Sequence, residues 1–366
     1  MYSLRYQSED GQAPLQLVPA AGRYFDVEPL PHSALSGYTH SEATFPLTLT
    51  NATIVGADTP SGHRHTVSMH IRSEAGEPLY GLVESGWIPF PFMSGDVALL
   101  DRNVVSKIEN LQPGQPRSEG AHPRPEFDLS FVGKMVSPLP YVLEGRFRKP
   151  QTRGELHASL AQGTKALRRV LPAAQVQPID ARRLKGLHGL LDDKKRFQAR
   201  AAPFLREICP SVAQPAGARQ QVEVELKVLR LARERSISPT SPVVLAVLSC
   251  LYDNVARPLH KKILKPGRAV LKPKPEYSEG DAYAALSDLL FLELLVSMKG
   301  NGLAQRPVFY THDLGLAAFW SALDPRDFSG NGQQGATGRF SLSPALLPAL
   351  DEEQCAALLA RLERQV

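Results

Sequence analysis

Four acidic residues lie inside or just after apolar stretches of this sequence. Asp101 follows VALL, Glu144 follows PYVL, Asp288 lies within AALSDLLFLEL, and Asp313 closes the segment VFYTHD. Burying a carboxylate is costly unless another group compensates its charge. Since like charges raise one another's pKa values, a cluster of such acids cannot stay ionised without a cation. Hard oxygen ligands of this kind favour Mg²⁺ or Mn²⁺ over Zn²⁺, so the four acids are candidate metal ligands.

The segments around these acids predict an α/β fold. The run from 96 to 111 is typical of a short buried strand followed by a helix, and the run from 308 to 323 repeats that order. Open α/β sheets bind ligands at the carboxyl ends of their strands, so we expect the acids to converge on such a crevice. Mostly helical patterns lie between the two runs. One of them begins with a capping box, Thr152-x-x-Glu155.

The first 93 residues have a different pattern. Apolar and polar residues alternate in FPLTLTNATIVGA and HTVSMHIR, and turn clusters such as ADTPSG separate these runs. We therefore expect a small β-rich N-terminal domain over residues 1–93. Its histidines His63, His65 and His70 are interpreted as surface residues, with a zinc site as the alternative, because His70 points away from the other two on a strand.

Composition excludes several classes of protein. The chain is 43% hydrophobic and 22% charged, as in globular proteins that bury a core. Its 3 cysteines are far apart, which excludes a disulfide framework and favours a reducing compartment. No apolar run reaches the roughly 20 residues of a membrane span, and the N-terminus shows no signal peptide pattern. We expect a cytoplasmic protein with no membrane association.

Positive charge is concentrated in two segments. Residues 144–200 contain fourteen Lys and Arg against five Asp and Glu, and residues 254–275 contain seven Lys and Arg and no acid. The whole chain has a net charge of only +5, so the remainder is net negative. This asymmetry favours a polyanionic partner, and the alternative is that the charges are solvated faces of basic helices.

The order and setting of the acids resemble the PIN-like domains, a family of metal-dependent ribonucleases that includes toxin nucleases. The resemblance covers roughly residues 95 to 330 and leaves the N-terminal β region unaccounted for. The spacing between the second and third acids is longer here than in compact members. The matching residues are Asp101 and Asn103 in LLDRNVVS, Glu144 in LEGR, Asp288 in AALSDLLFLEL, and Thr311 and Asp313 in YTHD.

The resemblance implies a PIN-like parallel-sheet domain over residues 94–366, with a long helical insertion near 173–260 and a C-terminal helix. It implies hydrolysis of phosphodiester bonds, with RNA favoured over DNA, at a Mg²⁺ or Mn²⁺ centre held by the four acids. Asn103 and Thr311 would support the carboxylates or the water. Asp281, two helical turns before Asp288, is the alternative third acid.

The basic residues nearest Glu144 in sequence are candidate phosphate contacts. They would attract a nucleic-acid backbone regardless of its sequence, with a strong dependence on salt. These residues are Arg146, Arg148, Lys149 and Arg153.

Several alternatives remain open at this point. The protein is either a nuclease or a non-catalytic nucleic-acid-binding or assembly protein that keeps the fold without metal. The N-terminal domain is a candidate recognition or regulatory module for a protein partner, with the nuclease as effector of a toxin–antitoxin or phage-defence system. Self-association into a homo-oligomer is equally open.

Two short motifs have weaker interpretations. Gly330-x-Gly332-x-x-Gly335 matches a dinucleotide fingerprint formally, but no strand precedes it and no helix pattern follows, so we expect a flexible loop. The pair His312-Asp313 occurs in helical phosphohydrolases, but here it follows a strand pattern.

Overall fold

The computed structural model describes most of the chain, with gaps. The described residues are 4–6, 15–19, 26–35, 42–50, 52–55, 64–72, 78–90, 92, 95–110, 131–144, 151–178, 181–254, 264–330 and 336–365.

Thirteen strands are present in the described residues. In chain order they are β1 (Leu4–Tyr6), β2 (Leu15–Pro19), β3 (Glu42–Leu49), β4 (Ala52–Val55), β5 (His65–Arg72), β6 (Tyr80–Val83), β7 (Gly86–Pro89), β8 (Val97–Leu100), β9 (Met135–Ser137), β10 (Gln175–Val176), β11 (Pro307–Thr311), β12 (Arg326–Gly330) and β13 (Ala336–Arg339).

The helices of the described residues are concentrated after residue 100. In chain order they are α1 (His32–Leu35), α2 (Arg102–Asn110), α3 (Leu139–Glu144), α4 (Arg153–Val170), α5 (Ala181–Ile208), α6 (Ala218–Glu234), α7 (Pro242–Leu251), α8 (Pro266–Leu271), α9 (Glu279–Gly300), α10 (Leu314–Leu323) and α11 (Glu352–Glu363), with a 3-10 helix over Cys209–Val212.

A six-stranded, mostly parallel sheet forms the centre of the fold. Its strand order is β10-β9-β8-β11-β6-β7. Strands β10, β9, β8 and β11 run parallel, whereas β6 pairs with β11 in the antiparallel direction and β7 pairs with β6 in the same way. Every residue of β8 and β11 is buried. Continuous apolar strands of this kind are typical of a parallel sheet covered on both faces, so the predicted α/β fold is confirmed.

The N-terminal strands form two smaller sheets. One is the antiparallel sheet β1-β2-β4, and the other pairs β3 with β5. Leu47, Leu49 and Val67 belong to the same buried cluster as the residues of the central sheet. The hairpin of β6 and β7 lies in the central sheet itself. The predicted division after residue 93 therefore falls within the region that supplies strands to the central sheet.

The segment predicted as a helical insertion is largely helical. Helices α5, α6 and α7 lie between β10 and β11 in the chain, although β10, at residues 175 and 176, still belongs to the central sheet. The predicted capping box is present at the start of α4, where Thr152 accepts from the Glu155 amide and Glu155 reaches back to the Thr152 amide. The predicted C-terminal helix is α11.

A β-hairpin occupies the glycine-rich region near residue 330. Strand β12 ends at Gly330, and β13 begins at Ala336 and pairs with it in the antiparallel direction. The dinucleotide fingerprint requires a helix directly after its glycines, and here a strand follows instead. Residues 331–335, on which the loop prediction falls, lie outside the described residues. Within the described part of the chain, no helix is long and apolar enough to cross a membrane.

Candidate functional site

The carboxyl ends of β8 and β11 form the centre of the candidate site. The two strands are neighbours in parallel register, with Leu100 opposite Tyr310, and the Asp101 amide donates to the Tyr310 carbonyl at 3.1 Å. Asp101 follows β8 directly and Asp313 lies two residues after the end of β11. Two acids that are more than two hundred residues apart in sequence therefore lie at the same edge of the sheet.

Asp101 is a buried carboxylate with only 7% of its surface exposed. Its Oδ1 accepts from the Arg102 amide at 2.6 Å, and its Oδ2 accepts from the Thr311 hydroxyl at 2.7 Å. Burial, together with the negative charge of Asp313, raises the pKa of Asp101 to about 6, although the hydrogen bonds from Thr311 and the Arg102 amide oppose this shift. Among the described residues, no Lys or Arg side chain is paired with Asp101. A buried acid without a cationic partner is typical of a functional site.

Thr311 links the two strand ends. Its hydroxyl donates to Asp101 and accepts from the Asp313 amide at 3.0 Å and from Asn103 Nδ2 at 3.3 Å. The Asn103 Oδ1 atom accepts from the His312 amide at 3.3 Å. Asn103 lies on the first turn of α2, so this network joins the start of a helix to the end of β11. The hydroxyl of Thr311 uses its one hydrogen for Asp101, which fixes the orientation of that carboxylate.

Asp313 is the N-cap residue of α10. Its Oδ1 accepts from the amides of Gly315 at 2.7 Å and Leu316 at 3.1 Å, which would otherwise lack partners. Its second oxygen accepts no hydrogen bond from the described residues. Gly315 permits this turn to pack closely, because a Cβ there would lie 2.7 Å from the Ala269 Cβ and 3.0 Å from Asp313 Oδ1. One oxygen of Asp313 therefore has a structural role, and the other is available to a ligand.

Asp288 lies in the middle of α9 and is partly buried. Among the described residues, no three His, Cys, Asp or Glu side chains are close enough together to hold a metal ion. The structure thus brings Asp101 and Asp313 together but does not assemble Asp288 with them into a three-residue metal group. His312 and Asp313 likewise belong to no such group of three metal ligands among the described residues. The His312 Nδ1 atom lies 3.0 Å from the Pro78 carbonyl oxygen.

Asp281, the alternative third acid, caps α9. It forms a capping box with Ser278 and an ion pair of 2.8 Å with Lys274. The hydrogen bond from Lys274, followed by that from Ser278, lowers the pKa of Asp281 to about 2. A carboxylate that already has these partners is a poorer candidate for a metal ligand than one without a cation, so its position favours a structural role.

Glu144 is the last residue of α3. Its side chain lies outside the described residues, and so do Arg146, Arg148 and Lys149. The fourth candidate phosphate contact, Arg153, is exposed and pairs with Asp192 at 3.0 Å. The side chains of His63, His65 and His70, which were weighed as a zinc site, also lie outside the described residues.

Part of the second basic segment is neutralised by ion pairs. Lys265 and Arg268 both pair with Asp253, which is almost completely buried, and Lys274 pairs with Asp281. These three cations therefore form ion pairs that stabilise the fold around α8. Residues 255–263, which carry Arg257, Lys261 and Lys262, lie outside the described residues.

A buried lysine that contacts the residue before Glu144 was not among the predicted site residues. Lys194 on α5 is 1% exposed, and its ammonium donates to the Leu143 carbonyl and lies 3.1 Å from the Tyr283 hydroxyl and 4.8 Å from the centre of the Tyr283 ring. It therefore joins the end of α3, next to Glu144, to α9, which carries Asp288. Helical periodicity could have predicted that Lys194 is buried, since it lies on the same face of α5 as the buried residues Leu187 and Leu191.

Comparisons with known proteins do not indicate a function for this chain. No protein-family model matches the chain, no curated protein matches it, and no solved structure matches it.

Proposed function

We propose that this protein is a metal-dependent nuclease that hydrolyses phosphodiester bonds, with RNA as its favoured substrate. The observation that carries the proposal is the position of Asp101 and Asp313 at the carboxyl ends of two adjacent parallel strands, joined through Thr311. The PIN-like resemblance supports the same assignment. The proposal also includes Glu144 as a third acid, whereas Asp288 forms no metal-sized group with Asp101 and Asp313 among the described residues. Asn103 and Thr311 support the two acids at the strand ends.

The Asp101–Asp313 pair fits a hard divalent cation. Both groups are carboxylates, the negative charge of Asp313 contributes to the raised pKa of Asp101, and no described cationic side chain pairs with either. The second oxygen of Asp313 accepts no described hydrogen bond. Carboxylates with these properties are the ligands that Mg²⁺ and Mn²⁺ prefer. When bound, the ion would activate water for attack and neutralise charge on the scissile phosphate.

The chain's own residues have separate roles in this proposal. Thr311 holds the Asp101 carboxylate in one orientation, and Asn103 holds Thr311 in turn. Lys194 fixes the end of α3 and so the backbone position of Glu144, which would orient the attacking water. Arg146, Arg148, Lys149 and Arg153 would supply attraction to the phosphate backbone.

A cleavage assay tests the proposal. Labelled single-stranded RNA is incubated with the purified protein in Mn²⁺ or Mg²⁺ and in a chelator, and the same series is run with labelled DNA. The double variant Asp101→Asn, Asp313→Asn should lose cleavage, whereas Asp193→Asn, an exposed aspartate on α5, should retain it. No cleavage of RNA or DNA by the wild-type protein with either ion would overturn the proposal.

The second candidate function is nucleic-acid binding without catalysis. The concentration of fourteen basic residues within residues 144–200 favours it independently of the acids. The same variant distinguishes the two functions, because the loss of two negative charges should leave RNA binding intact or tighter while cleavage is lost. Binding without any cleavage by the wild-type protein would establish the second function instead.

The N-terminal strands are proposed as the recognition or regulatory part of a toxin–antitoxin or phage-defence effector. Deletion of residues 1–93 is unsuitable as a test, because it would remove β6 and β7 from the central sheet and uncover its core. Substitutions of exposed residues such as Arg64, at 67% side-chain exposure, leave the core intact. If these strands recognise a trigger, such a substitution should change the regulation of the nuclease and leave its basal cleavage activity unchanged.

A further inference from the structure

A groove that is lined by none of the residues of the Asp101 site lies against α9. It has a volume of about 1080 Å³ and lies between α7, α9, α11 and the hairpin of β12 and β13. Its walls are mixed: Leu245, Val296 and Leu359 supply apolar surface, and Ser297 and Thr337 supply hydroxyl groups. This volume is slightly above the range of about 300–1,000 Å³ that is usual for small-molecule sites.

Glu293 on α9 lines this groove without a partner. Among the described residues, it has neither a hydrogen bond nor an ion pair. Burial alone raises the pKa of Glu293 to about 7. A carboxylate that is desolvated and unpaired is costly to the fold, and a ligand that brings a positive charge to it recovers part of that cost.

The charged groups that line the groove without an ion-pair partner are negative. Arg326 pairs with Asp324 at 2.7 Å, and Arg339 pairs with Asp327 at 3.0 Å, so both arginines of the hairpin are already neutralised. Glu363 on α11 also lines the groove, and among the described residues it has no ion pair. Among the described residues, the unpaired charges along these walls are therefore two carboxylates, which favours a cationic ligand over an anionic one.

We propose that this groove binds a primary alkylammonium ligand, with its ammonium group on Glu293 and its methylene chain along the apolar wall. The hydroxyls of Ser297 and Thr337 can accept the remaining ammonium hydrogens, and Glu363 can hold a second ammonium of a diamine. The same chemistry is present in free polyamines and in the lysine side chain of a peptide. The inference does not depend on nuclease activity.

Isothermal titration calorimetry of the full-length protein tests this proposal. The ligands are putrescine, spermidine, the blocked lysine N-acetyl-lysine N-methylamide, and glutarate as an anion of similar size. We expect the amines to bind and glutarate not to bind. A blocked lysine that binds as tightly as putrescine would assign the groove to peptide lysines, and amine binding that excludes the blocked lysine would assign it to free polyamines.

Matched variants distinguish amine binding in the groove from non-specific attraction of amines to negative charge. Glu293→Gln should weaken amine binding about tenfold or more, since a charge-assisted hydrogen bond is lost. Glu279→Gln removes the same charge from an exposed position on the same helix and should change nothing. Ser297→Phe, one turn after Glu293, should fill the groove and also remove binding, which keeps the test decisive if Glu293→Gln fails to fold.

The pH dependence of binding supplies an independent readout. Because Glu293 must be ionised, amine affinity should fall about tenfold from one pH unit above its pKa of about 7 to one unit below it. This dependence should disappear in Glu293→Gln. Absence of amine binding at millimolar concentration, equal binding by wild type and Glu293→Gln, or preferential binding of glutarate would each overturn the proposal.

Discussion

Replacing Asp101 by asparagine should stabilise the metal-free protein at neutral pH. A folded-state pKa of about 6, against an ordinary value of 3.8, means that ionised Asp101 costs about 3 kcal/mol above pH 6, at about 1.36 kcal/mol per pH unit. Asparagine removes this cost but has one carbonyl oxygen for the two donors that Asp101 now accepts, Thr311 and the Arg102 amide. A lost hydrogen bond costs about 1 kcal/mol, so the net gain is about 2 kcal/mol.

The sign of the pH dependence follows from the raised pKa. Protonated Asp101 carries no burial penalty, so its stabilising contribution is complete below pH 3.8 and is lost as the pH rises through about 6. The advantage of Asp101→Asn should therefore be present above pH 6 and absent below pH 3.8. Chemical denaturation in a chelator at both extremes measures the two differences in unfolding free energy.

Mn²⁺ should reverse the order of stability. A ligand that binds only the folded state adds about 2.7 kcal/mol at a concentration of 100 times its Kd, and Asp101→Asn should not receive this contribution. Asp193→Asn, the exposed control, should behave as wild type with and without the ion. Equal destabilisation by Asp101→Asn at both pH extremes, or equal stabilisation of both proteins by Mn²⁺, would contradict this prediction.

Two further substitutions divide structural from ligand-binding roles. Asp313→Asn keeps an N-cap side chain and should leave the unfolding free energy nearly unchanged while removing Mn²⁺ stabilisation, whereas Asp313→Ala should also lose about 1 kcal/mol of cap energy in thermal or chemical denaturation. An equal loss of unfolding free energy in Asp313→Asn and Asp313→Ala would show that the N-cap of α10 depends on the negative charge of Asp313. Lys194→Met removes the donor to the Leu143 carbonyl, so it should lower the free energy of unfolding by at least about 1 kcal/mol and also lower Mn²⁺-dependent cleavage. Lys194→Arg should partly restore cleavage. Full activity in Lys194→Met would show that Lys194 does not contribute to the site.

The buried strands of the central sheet were predictable because their sequences are locally unambiguous. VALL and VFYT are wholly apolar or β-branched runs that end at polar residues, and the structure makes them adjacent parallel strands with every residue buried. The capping box at Thr152 was equally local, because it needs only two residues three positions apart. The carboxyl-end rule for open sheets then led directly to the meeting of Asp101 and Asp313.

Other features depended on contacts that no local pattern encodes. The local sequence of Tyr80–Val83 and Gly86–Pro89 does not determine that these strands join the central sheet through β11 rather than the N-terminal sheets. The position of Asp288 relative to the strand ends depends on how α9 packs, which periodicity does not determine. The role of Asp281, by contrast, was readable, since Ser278-x-x-Asp281 has the spacing of a capping box.

Anomalous diffraction from a crystal soaked in Mn²⁺ would show whether Asp101 and Asp313 bind a metal ion, because the signal locates the ion without reference to activity. We predict a peak at the carboxyl ends of β8 and β11, coordinated by Asp101 and by the oxygen of Asp313 that does not cap α10. The peak should be absent from the Asp101→Asn variant. A fully soaked wild-type crystal with no ion at this position, or with Asp101 paired to a lysine or arginine instead, would contradict the account.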